Sequence, residues 1–210
     1  MIKLVTIERE YGSGASAIAK RVADRLGWEL WDQQFTDEIA RRLSCDRRHV
    51  ERQEERNDPL RRRLLKAFVR GSFEGNINTP RMTTADAEDI RETAEALVRD
   101  VAARGNAVIV GRGSAYYLCE RPDALHVFIY APYPEKVRRI VREGKSEEEA
   151  EELAQSVDRD RTAFIRRHFG IEWPARQYFH FMVNSTIGEE EAADMIIRAL
   201  HTIRGSSMCP

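Results

Sequence analysis

The chain opens on a short apolar run, Ile2 to Ile7, rich in β-branched residues and with little polar interruption. Such a run predicts a strand buried on both faces in a parallel sheet. Glu8 to Ser16 follows as a loop carrying two glycines, Gly12 and Gly14. Ile18, Val22 and Leu26 then recur at i, i+4 and i+8, the one-face spacing of a helix over 17–26, and Gly27 is placed to end it. Trp28 to Trp31 predicts a second short strand, closing on Asp32. Strand, glycine loop, helix and strand within about thirty residues make a βαβ unit.

The alternation continues. Thr36 is placed to cap a helix whose apolar face includes Ile39 and Leu43. Residues 46–63, dominated by Arg, Glu and Asp, predict a solvated helix or mobile segment. Leu64 to Phe73 predicts a short amphipathic piece, and Gly71 to Thr84, rich in Gly, Asn, Thr and Pro, a loop. Ala85 to Arg104 predicts a long helix ended at Gly105. Further strands are expected at Ala107 to Val110, Leu125 to Tyr130 and Phe179 to Val183. Helices are expected from Pro134 to Arg142, from a cap at Ser146 to about His168, and from Glu189 to Ile203, with a frayed tail from Gly205. The expected fold is α/β: one domain over 1–210, with a five-stranded parallel sheet between two helical layers. Ligands bind such sheets at the carboxyl ends of the strands.

Composition narrows the partners. Lys+Arg 34 against Asp+Glu 35 leaves a formal net charge of -1, which argues against a nucleic-acid-coating protein and leaves room for a local basic pocket. Cys45, Cys119 and Cys209 are widely spaced and form no metal-binding pattern, so reduced thiols are expected. The five histidines show no metal or nucleophile spacing. No apolar leader precedes the first strand and no stretch is long enough to span a bilayer. A cytoplasmic protein without a membrane partner is expected.

Between the first strand and helix, Arg9-Glu10-Tyr11-Gly12-Ser13-Gly14-Ala15-Ser16 partly fits the phosphate-loop pattern G-x-x-x-x-G-K-[ST]. Registered on Gly14, the first glycine is Arg9, the lysine is Ala15, and the hydroxyl is kept at Ser16. The N–H groups of Gly12, Ser13, Gly14, Ala15 and Ser16 are the expected phosphate cradle, with Ser16 on the magnesium side. An ordinary βα turn with two permissive glycines is the alternative.

Three ordered blocks carry a resemblance. Val5-Thr6-Ile7-Glu8-Arg9-Glu10-Tyr11-Gly12-Ser13-Gly14, Gly105-Asn106-Ala107-Val108-Ile109-Val110-Gly111-Arg112-Gly113, and Asp158-Arg159-Asp160-Arg161 with Trp173, Tyr178 and Asn184 resemble the cytidylate kinase-like family. The resemblance spans most of the chain except roughly 46–84. It implies a P-loop fold with a helical acceptor-binding insertion over about 36–100 and a short helical lid over about 144–172. It further implies ATP and Mg2+ as cofactors, a small-molecule phosphate acceptor of nucleotide type, and transfer of the γ-phosphoryl group to a CMP- or dCMP-like monophosphate. A homo-oligomer is compatible with it. Against the bacterial cytidylate kinase pattern, the loop lysine falls on Ala15, and the D-G-R-D block falls on Val110-Gly111-Arg112-Gly113, keeping the arginine and losing both aspartates.

The candidate roles follow. Arg112, between two glycines, is expected to fork onto the acceptor phosphate, with Asp32 and Asp160 also on the acceptor side. A turn cap is the alternative for Asp32 and a surface turn for Arg112. Arg159 and Arg161 are expected as catalytic lid cations. Arg9 is the nearest replacement for the missing lysine, against an ion pair with Glu8 or Glu10. A nucleotide-binding sensor or scaffold with little catalysis, and a kinase of a non-nucleotide metabolite, are the competing functions.

Overall fold

A computed structural model describes residues 1–50, 87–203 and 207–209. The expectations for residues 51–86, including the loop over 71–84, lie outside the described residues. In chain order the elements are β1 (Leu4–Arg9), α1 (Ala15–Leu26), β2 (Glu29–Trp31), α2 (Gln33–Val50), α3 (Ala87–Arg104), β3 (Ala107–Val110) and α4 (Ser114–Tyr117). They continue as β4 (Ala124–Tyr130), α5 (Tyr133–Arg142), α6 (Glu147–Phe169), β5 (Phe181–Asn184) and α7 (Glu189–Thr202), with short 3-10 turns at Arg176–Tyr178 and Ser185–Ile187.

The five strands form one sheet in the order β2-β3-β1-β4-β5, and every neighbouring pair is parallel. All six residues of β1 are buried; its first four read as an apolar run broken only by Thr6, and the buried charges Glu8 and Arg9 end it. Side chains alternate faces along it. Leu4 packs on one side with Phe35, Ile90, Leu97 and Phe128 under α2 and α3. Val5 and Ile7 pack on the other with Ile18, Val22 and Ile196 under α1 and α7. At about 1.5–3 kcal/mol for each fully buried large apolar side chain, these two layers dominate the stabilisation.

A third, smaller cluster joins Tyr11 to Val137 and Ile140 of α5 and to Ala150, Ala154 and Val157 of α6. It fastens the α5–α6 pair to the loop after β1. Ser146 caps α6 by accepting the Glu149 N–H, and Gly170 closes it at φ 67. Three glutamates in the first turn and Arg166, Arg167 and His168 in the last match the helix dipole.

Several boundaries differ from expectation. Helix α1 starts two residues earlier because Gly14, at φ 76, turns the chain without a side-chain cap. Thr36 lies inside α2 rather than capping it. Phe179 and His180 precede β5, since Phe179 ends a 3-10 turn. The four-residue α4 is too short for a periodic signal. The expectation of reduced thiols is corrected: Cys119 and Cys209 form a disulfide, with Cα atoms 4.9 Å apart. The described tail residues do not fray, because the Met208 N–H also donates to the Cys119 carbonyl at 2.7 Å. No described helix is long and apolar enough to cross a membrane.

Candidate functional site

β1 connects towards the β2 side of the sheet and β4 towards β5, so the crevice over their carboxyl ends is the expected ligand position in such a sheet. Two glycine turns reach the same carboxyl edge. The first, after β1, spans Glu10 to Gly14, with Gly12 at φ 70 and Gly14 at φ 76. It leads directly into the N-terminus of α1, where unpaired N–H groups and the helix dipole favour an anion. The second, after β3, is Gly111-Arg112-Gly113, all three at positive φ (69, 64 and 70).

The first turn is held from three sides. Its Glu10 N–H donates to the Ile129 carbonyl of β4 at 3.0 Å. The Ser13 carbonyl accepts from the Ser185 hydroxyl at 2.6 Å and from Arg139 Nη1 at 2.6 Å. A Cβ on Gly12 would meet the Lys136 carbonyl at 3.0 Å, so α5 lies directly against the turn. Ser13 is fully buried and its hydroxyl has no partner among the described residues. Ser16 is half-buried in the first turn of α1. Ala15 is fully buried in the layer beneath α1 and α7, so the position of the usual lysine belongs to the core.

Arg112 is 5% exposed. Its Nη2 donates to the Thr36 hydroxyl, and its guanidinium lies 5.9 Å from the Phe35 ring centre. Burial first, then repulsion from Arg9, pulls its pKa down to about 9, against the attraction of Asp32. An anion held here would offset the repulsion between Arg112 and Arg9. Arg9 joins this second turn rather than the first: a Cβ on Gly111 would lie 1.7 Å from its Nη1. No ion pair joins Arg9 to Glu8 or Glu10 among the described residues, and Glu10 pairs instead with Lys136 at 3.4 Å. Glu8 is buried, and its carboxyl is raised by burial, opposed by Arg9 and Arg161 and by the N–H groups of Ala115 and Gly113.

Asp32 is buried at the end of β2. Its carbonyl accepts the Phe35 N–H at 3.3 Å, a turn role, while its Oδ1 has no partner among the described residues. Arg161 reaches back from α6 and donates from Nη1 to the Arg9 carbonyl at 2.8 Å and to Asp158 Oδ1 at 3.0 Å. Arg159 is exposed and Asp160 half-buried, and no hydrogen bond or ion pair among the described residues links either to a glycine turn. The site thus gathers Arg9, Asp32, Arg112 and Arg161, with Glu8 and Thr36, which sequence reasoning passed over.

Sequence reasoning also passed over Lys136, Arg139 and Ser185 as neighbours of the first turn, and gave Asp158 no role of its own. Lys136 sits in a helix that reads as arginine-rich, so nothing in its local pattern marks it. Magnesium prefers oxygen ligands and usually keeps waters and substrate phosphates beside one or two protein groups. The Ser16 hydroxyl and the orphaned Asp32 oxygen fit that chemistry. Among the described residues there is no all-protein cluster of three metal ligands.

Residues 4–187 match the sequence profile of the cytidylate kinase-like family. No curated protein matches the chain significantly. Among solved structures, an uncharacterized protein from Eubacterium ventriosum ATCC 27560 is similar at TM-score 0.69 and 21% identity, over 97% of this chain and 100% of that one. A shikimate kinase from Bacteroides thetaiotaomicron is similar at TM-score 0.54 and 14% identity, over 96% and 99%. A sugar kinase from Janibacter sp. HTCC2649 is similar at TM-score 0.53 and 15% identity, over 96% and 95%. These likenesses are of fold.

Proposed function

The chain belongs to the cytidylate kinase-like family, and on that premise we propose that it is an ATP- and magnesium-dependent kinase of a nucleoside monophosphate of CMP or dCMP type. The observation that carries the reading is the pairing of two glycine turns on one sheet edge, one leading into the α1 N-terminus after β1 and one carrying a buried arginine after β3. Phosphoryl transfer asks the protein mainly for in-line positioning and for positive charge. In this reading the first turn and the α1 N-terminus hold the phosphates of ATP, with Ser16 towards magnesium. Arg112 holds the acceptor phosphate, with Asp32 beside it. The acceptor oxygen attacks Pγ as the bond from Pγ to the ADP oxygen breaks, and ADP leaves with the electron pair. Arg161 lies at the end of β1, between the two turns, where it stabilises the moving charge. Arg9 contributes to the field around Arg112, and Arg159 and Asp160 belong to the lid.

A second reading rests on Asp32. A buried carboxylate with an unpartnered oxygen, next to a buried arginine, also suits a small hydroxy acid, with the carboxylate accepting its hydroxyl and Arg112 pairing with its acid group. The solved neighbours include shikimate kinases. A panel of acceptors with ATP and magnesium, read by ADP formation, separates the two. CMP or dCMP as the preferred acceptor supports the first reading, and shikimate or a comparable hydroxy acid supports the second. ATP binding without turnover of any acceptor leaves a nucleotide-binding module.

A further inference from the structure

The first glycine turn has no lysine of its own, yet a buried lysine stands against it. Lys136 is 7% exposed. Its Nζ donates to Asp158 Oδ2 at 2.8 Å and lies 3.4 Å from Glu10 Oε2. Asp158 Oδ1 in turn accepts the backbone N–H of Tyr11, inside the turn, at 2.8 Å, and accepts from Arg161 Nη1 at 3.0 Å. One carboxylate therefore collects donors from three separate elements: a loop N–H, a lysine of α5 and an arginine of α6. That donor set, a backbone N–H with lysine and arginine, is what a phosphate loop offers to phosphate.

The neighbouring Arg139 behaves differently. Its guanidinium is spent on the Ser13 and Ser185 carbonyls, the Ser185 hydroxyl and Glu135. Those contacts brace the turn, and an anion does not replace them. Lys136 holds an anion already, so another can take its place.

We propose that Lys136 is the phosphate-binding cation of this site and that Asp158 is its built-in phosphate surrogate, displaced when a nucleotide phosphate takes the Tyr11 N–H and the Lys136 ammonium. The inference rests on the reading of the first turn as the ATP phosphate site and adds the residue that supplies its charge. Lys136 is poised for this: burial alone would disfavour its charge, but Asp158 and Glu10 outweigh that and raise its pKa. The displaced carboxylate loosens α6 from the turn, which couples phosphate binding to the position of Arg161.

The test is titration calorimetry of ATP with magnesium, and of inorganic tripolyphosphate, against the full chain and four variants. Lys136→Met is expected to weaken both ligands by roughly ten- to a hundredfold, the worth of a charge-assisted bond, while Lys136→Arg loses less. Asp158→Asn, which removes the competing charge, is expected to tighten both several-fold. Thermal melts run alongside. The double variant Lys136→Met with Asp158→Asn leaves no unmatched charge between the two and covers the case in which Lys136→Met fails to fold. Unchanged ligand affinity in Lys136→Met, or in the double variant relative to Asp158→Asn, overturns the inference while leaving the kinase reading intact. So does weaker binding in Asp158→Asn that tracks a fall in melting temperature, because Asp158 is then a structural latch. Absence of ATP binding at millimolar concentration in both wild type and Asp158→Asn overturns the kinase reading as well.

Discussion

The turn after β1 and the turn after β3 begin alike. Each leaves a buried strand at the same sheet edge, and each ends on a left-handed glycine that caps the next helix, Gly14 at φ 76 and Gly113 at φ 70. They part in how they obtain charge. The second turn carries Arg112 within itself and has Arg9 packed against it from the end of β1. The first turn has its adjacent arginine packed against the second, buries Ala15 in the core, and lies against Lys136 and Arg139 of α5. A loop that binds phosphate through N–H groups tolerates this, because the backbone cradle does not depend on which element brings the positive charge. The difference leaves the second turn with a cation in its own sequence, and the first beside cations carried by α5 and α6.

The largest expected effect breaks the second turn. Gly111→Ala must hold a Cβ at φ 69 and push it into the buried Arg9 guanidinium. Left-handed strain of about 1–2 kcal/mol adds to an overpacking cost of about 1–3 kcal/mol. Denaturant melts should show a loss of about 3 kcal/mol, and a loss of only about 1–2 kcal/mol, the left-handed strain alone, would mean that Arg9 moves freely. Arg112→Ala comes next. It should weaken acceptor binding by about 1.5–3 kcal/mol and leave ATP affinity nearly unchanged. Equal losses for both ligands in calorimetry would make Arg112 structural and erase the division of labour between the turns.

A smaller effect tests the sheet that carries both turns. His126 of β4 is fully buried and bonded to Thr6 of β1 at 2.6 Å. Burial, then His180, lowers its pKa from 6.5 to about 4. The unfolded chain therefore binds the extra proton first, and stability present above pH 6.5 is lost as pH falls towards 4. At pH 5.5 the loss from this group is about 1.4 kcal/mol. His126→Gln should flatten the change in unfolding free energy between pH 7.5 and 5.5, and an identical slope in wild type and variant would remove His126 as its source.

The contrast between the turns also explains what was legible in the chain. β1, β3 and β4 were visible because strands buried on both faces need largely apolar runs, and both glycine turns were visible because positive φ selects glycine. The family match over 4–187 includes these segments. What escaped depends on distant partners. Lys136 and Asp158 look like surface charges until α5 and α6 fold back over Tyr11, and Thr36 looks like a cap until Arg112 arrives 76 residues later. Cys119 and Cys209, separated by 90 residues, pair only because the tail returns to the end of α4. Local periodicity carries no trace of such closures.

The smallest expected effect separates backbone from charge in the first turn. The nearest neighbour of a Cβ on Gly14 would be the Arg139 guanidinium, at 3.3 Å, so that side chain must give by a few tenths of an ångström. The remaining cost of Gly14→Ala is the left-handed conformation at φ 76, about 1 kcal/mol. That is well below the loss expected for Gly111→Ala, where the neighbour is buried and the approach far closer. The loop N–H groups and the α1 N-terminus keep their direction, so ATP affinity should fall only a few-fold. A loss as large as that of Gly111→Ala, measured by melts and calorimetry on the same preparations, would show that the first turn is as tightly specified as the second. The distinction drawn from the placement of Arg9 and Lys136 would then have to be abandoned. A small loss of stability with a small loss of affinity keeps it, because the turn then works as a replaceable backbone cradle whose charge is delivered from α5.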